Sequence, residues 1–91
     1  MTYKAMTIDL KKLQKRIAVC QRRRDAETKK GDLEMARMYE ADAEDLTCIL
    51  NDLNAGNYQT AWSGIERLET AVREEIPPRL YNFIANENGY C

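Results

Sequence analysis

A chain of 91 residues with 44 % hydrophobic and 32 % charged side chains is one small domain, and no apolar run in it approaches the roughly 18–20 residues of a membrane span. It has no histidine, which removes the usual general base near neutral pH, the commonest metal ligand, and Ser-His and Cys-His nucleophile pairs. Its net charge of −1 conceals two opposite halves: residues 1–30 hold ten Lys or Arg against three acids, and residues 31–91 hold four Arg against twelve acids.

The first predicted helix spans about residues 8–29, with Thr7 or Asp9 as its cap. Leu10, Leu13, Ile17 and Cys20 recur at intervals of three, four and three, which is one stripe of a helix. Lys11, Lys12, Lys15, Arg16, Arg22 and Arg23 fall on the opposite side, and Arg24 returns to the stripe. Lys29-Lys30-Gly31-Asp32 then reads as a helix end followed by a new start: basic residues in the last turn, Gly for the left-handed position, Asp as cap.

A second helix is expected over residues 33–54. Its core face is Met35, Met38, Tyr39, Ala43, Leu46, Ile49, Leu50 and Leu53, with Asp42 projecting from within it. Gly56 ends that helix and Asn57 caps a third over residues 58–76, with Tyr58, Ala61, Trp62, Ile65, Leu68, Val72 and Ile76 on one stripe. Pro77-Pro78 stops it. A short fourth helix over residues 79–86 brings Leu80, Tyr81, Phe83 and Ile84 to an open end, and residues 87–91 form a flexible tail.

Short loops between long amphipathic helices force antiparallel neighbours. The fold class is therefore all-α, a three-helix up-down-up bundle with a short C-terminal helix, in a single domain 1–91. Folding back at Gly31 would set the basic flank of the first helix along the acidic flank of the second. Exposed ion pairs contribute only about 0–1 kcal/mol each, so such pairing would set register more than stability. Cys20, Cys48 and Cys91 form neither a zinc pattern nor a disulfide framework, and the hairpin register puts Cys20 and Cys48 too far apart to bridge.

The candidate contact surface is Arg22, Arg23, Arg24, Lys29 and Lys30, together with Met35, Met38 and Tyr39 facing them across the hairpin. From Gln21 to Lys30 the only apolar side chain is Ala26, so the first helix cannot cover that end itself. Either the third helix returns beside it with Val72 and Ile76, or the Met-Tyr surface is an interface, to which flexible Met and anchoring Tyr and Arg are suited. Asp42 is expected to pair with Arg24 or Arg16, since an unpaired buried carboxylate is costly. Glu40, Asp42, Glu44 and Asp45 face no second acidic helix, so no metal site and no cofactor are expected.

These features point to a non-enzymatic, cytoplasmic protein-binding module. It would be an adaptor, inhibitor or regulator, of a size common in phage and mobile elements, whose partner is another protein or a second copy. The alternative is a nucleic-acid-binding regulator that lays its basic first helix on a phosphate backbone.

Overall fold

Thr2, not Thr7 or Asp9, starts the first helix. In the computed structural model, which describes residues 1–89, α1 runs Tyr3–Lys30 and the Thr2 hydroxyl accepts the Ala5 N–H at 3.1 Å. Thr7 lies inside the helix and donates its hydroxyl to the Tyr3 carbonyl at 3.0 Å. Twenty-eight residues make a rod of roughly 42 Å. The longest dimension of the molecule is 43 Å, so this helix sets its length.

The turn at Gly31 is closed by backbone alone. Gly31 is left-handed at φ 82, its N–H donates to the Thr28 carbonyl at 3.1 Å, and the Asp32 N–H reaches back to Glu27 at 3.0 Å. Asp32 then accepts the Met35 N–H at 3.2 Å and opens α2, Leu33–Asn54. The same closure recurs at Gly56, with Gly56 donating to Leu53 and Asn57 donating to Asp52. Asn57 precedes α3 without a side-chain capping bond.

The third helix breaks early. α3 covers Tyr58–Arg67, Leu68 and Glu69 are extended with ψ of 145 and 152, and α4 is the single turn Thr70–Arg73. The expected continuous helix over 58–76 is thus two pieces, although no Gly or Pro lies between residues 65 and 76. Arg73 holds the break: its Nη2 donates to the carbonyls of Glu66 at 3.1 Å and Leu68 at 3.0 Å, acceptors that a helix end leaves open. Leu68 and Ile76 both become buried, while Val72 stays half-buried.

Pro78 stands at the first position of α5, Pro78–Glu87, where its missing N–H costs no helical bond. α5 lies antiparallel to α3. Tyr58 meets Phe83 edge to face at 5.3 Å, Trp62 meets Tyr81 at 5.4 Å, and the Asn88 amide donates to the carbonyls of Tyr58 and Ile84. Leu80 and Ile84 are fully buried in the common core with Leu13, Leu46, Ile49 and Ile65, so α5 is a core element rather than a lid. Of the residues expected as a tail, Glu87 ends α5 and Asn88 caps it; residues 90 and 91, with the Cys91 thiol, lie outside the described residues.

Among the described residues the fold is all-helical, without a strand. α1 and α2 form an antiparallel hairpin, α3 packs on α2, and α5 packs on α3 and α1. Gly64 permits close approach of α3 to α2, since a Cβ there would stand 3.1 Å from Ile49 Cγ1. Cys20 is buried, Cys48 exposed, and both are free thiols.

Open space surrounds Gly31, so the only obstacle to a side chain is its backbone conformation. Gly31→Ala is expected to lower stability by about 1 kcal/mol in urea denaturation with helical content intact. Leu46→Ala, in the core, should cost about 2–5 kcal/mol in the same measurement.

Candidate functional site

The length of the hairpin exceeds the reach of the layer packed on it. The segment after α4 meets α1 around Lys12, Arg16 and Val19, where Ile76 and Pro77 line a shallow pocket and Arg16 Nε lies 3.5 Å from Glu75 Oε2. Ile76 therefore sits at the level of Arg16 and Val19, and the charges of Glu69 and Glu75 reach α2 at Asp42, one turn short of Met38. The reason is the break at Leu68 and Glu69, which turns the chain back before it reaches the tip.

The arm beyond that level carries the uncovered strip. Met38, expected in the core, is 47 % exposed, and Met35 and Tyr39 are half-buried. Ala36 is instead the buried residue of this turn. It falls seven residues before Ala43, in line with the side of α2 that meets Gln21 and Arg24, where a small side chain lets α1 approach.

The basic residues do not form one patch with this strip. Arg24 Nε binds Asp25 at 3.1 Å and its Nη1 lies 3.7 Å from Glu40, which is about 160° round α2 from Met38. Arg22 and Lys29 point away from α2, opposite the buried Leu13 and Ile17. Arg23 and Lys30 continue, at intervals of seven, the row begun by Arg16, and so flank the Met-Tyr strip; Lys30 lies 3.5 Å from Glu27.

Nor do the two charged flanks neutralise each other. Among the described residues the pair Arg24–Glu40 is the sole ion pair between α1 and α2. The cause is the helix wheel: the apolar stripe of α1 is the side that meets α2, so the cations opposite it face solvent.

Asp42 departs from expectation. Arg24 and Arg16 are engaged elsewhere, and no ion pair reaches Asp42 among the described residues. Desolvation, then the charges of Asp45, Glu69 and Glu75, hold its carboxyl above the ordinary range. Burial and the same Asp42 and Glu75 push the Cys20 thiol up, which leaves it a poor nucleophile. Among the described residues no three ligating side chains are grouped to hold a metal ion.

The opposite case is Asp9, first read as a possible cap. It is 1 % exposed, and Arg79 grips both its oxygens, Nε to Oδ2 at 2.9 Å and Nη2 to Oδ1 at 2.8 Å. The hydrogen bonds from Arg79 lower its pKa against the desolvation that would raise it, with Arg79 and Lys12 charges assisting. Asp9 stands within the apolar stripe of α1, which signals a need for a buried partner. That the partner lies 70 residues away is not a local signal.

Among the described residues no helix is long and apolar enough to cross a membrane. Compared with protein-family models, with curated proteins and with solved structures, the chain matches none.

The two carboxylates give opposite pH signatures. Asp9 has a depressed folded pKa, so its stabilisation is complete above the ordinary value of 3.8 and is lost as pH falls through the lower folded value. Asp9→Asn should lower Tm by several degrees at pH 7 and converge on the parent in acid. Asp42 has a raised folded pKa, so its penalty is absent below 3.8 and complete above the folded value. Asp42→Asn should raise stability at pH 7 by about 0.5 kcal/mol, the scale of relieved like-charge pairs, with the gain disappearing in acid.

Proposed function

We propose that this chain is a non-enzymatic protein-binding module that acts through its hairpin arm, with the helices packed as an up-down-up bundle serving as the base. The observation that supports the reading is the exposed Met38 flanked by the half-buried Met35 and Tyr39 near the tip of the hairpin. Flexible Met side chains adapt to a partner surface, Tyr anchors it, and Arg23 and Lys30 on the flank favour a partner that is acidic around an apolar centre. Arg22 and Lys29, on the outer side of α1, steer approach rather than touch the same partner surface.

The reading assigns no chemistry to the chain. Among the described residues no three ligating side chains are grouped to hold a metal ion, the Cys20 thiol is buried, and the sequence holds no histidine to activate a nucleophile. An adaptor, inhibitor or regulator needs only this surface.

Immobilised protein should capture a reproducible partner from the native host lysate, and Met38→Glu or Arg23→Glu should reduce that capture about tenfold or more without loss of helical content. Equal capture by the variants would remove the arm as the site. Sizing of the purified chain completes the measurement: a dimer dissociated by Met38→Glu identifies a second copy as the occupant of the strip.

A further inference from the structure

We propose that the solvent face of α1 is a second surface, separate from the Met-Tyr strip, which binds the phosphate backbone of duplex nucleic acid without reading its sequence. At 100° per residue, Lys4, Lys11, Lys15, Arg22 and Lys29 fall within an arc of about 40° opposite the buried stripe of α1. All five are exposed, and none takes part in an ion pair among the described residues. Over 25 residues of helix they form a straight row about 37 Å long. The acid nearest the arc, Asp25, is about 40° outside it and is bound by Arg24, while Asp9 is buried under Arg79.

The character of this row selects its partner. A protein interface needs a cluster of apolar or aromatic anchors; no aromatic residue occurs from Lys4 to Lys29, and the exposed Ile8, about 20° outside the arc, is a single apolar side chain at one end of the row. Single-stranded nucleic acid needs the same aromatics for stacking. A membrane-surface helix inserts its apolar face, and that of α1 is already spent on Leu46, Ile49 and the rest of the core. Duplex nucleic acid needs only spaced cations, because it presents one negative charge per about 1.7 Å of its axis. Gln14 and Gln21, the amides of this helix, lie about 60–80° off the arc, and a row of four lysines and one arginine matches phosphates spaced along a backbone more than any one base sequence.

The net negative charge of the chain does not oppose this. Twelve of its fifteen acids lie beyond α1, and the shorter dimensions of the molecule are 24 and 20 Å. Carboxylates on the far side are therefore more than twice the Debye length of about 8 Å away at physiological salt.

The test is fluorescence anisotropy of the full chain with a labelled random duplex of about 24 base pairs, at stepped salt. Binding to about four phosphates predicts a slope of log K against log salt near −4. The double substitution Lys11→Gln/Arg22→Gln should reduce that slope by about 2 and weaken binding roughly tenfold or more at low salt, with helical content checked by circular dichroism. Lys15→Gln/Lys29→Gln serves as a second variant with the same expectation, and Met38→Glu should leave duplex binding unchanged. No binding at about 50 mM salt, or an unchanged slope in both double variants, overturns the proposal. So does equal or tighter association with polyglutamate or with vesicles of anionic lipid.

Discussion

The bend at Leu68 and Glu69 decides what the molecule presents. A helix continuous from Tyr58 to Ile76 would be about 28 Å long and could run beside the hairpin toward its tip. The guanidinium of Arg73, fastened to the carbonyls of Glu66 and Leu68, stabilises the earlier turn instead. Leu68 and Ile76 are buried by it, and the third layer closes on Arg16 through Glu75. The arm that carries Met35, Met38 and Tyr39 projects past this closure, and the exposure of Met38 follows from where the closure falls.

Charge segregation along the chain has a different consequence in three dimensions. Opposite charges on adjacent helices pair only where both face the same seam, and the seam between α1 and α2 is apolar. One cation, Arg24, returns to that seam and finds Glu40. Of the others, Arg16 meets Glu75 and the rest lie outside that seam, so the molecule is a dipolar rod rather than a neutralised hairpin. At physiological salt each face is screened from the other, so each acts on its own surroundings.

Asp9 and Asp42 show how placement sets the role of the same side chain. Both stand on apolar stripes. Asp9 is joined by an arginine that arrives with α5, and the pair ties the two ends of the chain together. Asp42 has no ion pair among the described residues and feels the charges of Asp45, Glu69 and Glu75, because the arginines near it in register are bound to other acids.

The helices, the turns and most of the core were legible in residue order, because these rest on local physics. Gly31 and Gly56 supply the left-handed position that a helix end requires, Asp32 caps its successor, Pro78 opens α5, and the 3.6-residue period marks Leu13, Ile17, Leu46, Ile49 and Ile65 as buried. The start at Thr2 was local too, but weaker signals at Thr7 and Asp9 competed with it. Three features were decided only when distant segments met: the break after Arg67, the Arg79 partner of Asp9, and the lack of an ion-pair partner for Asp42 among the described residues. Each depends on a guanidinium whose reach is fixed by packing rather than by sequence spacing. The separation of the Met-Tyr strip from the outer cations belongs with them, since faces acquire meaning only once it is known which neighbour covers them.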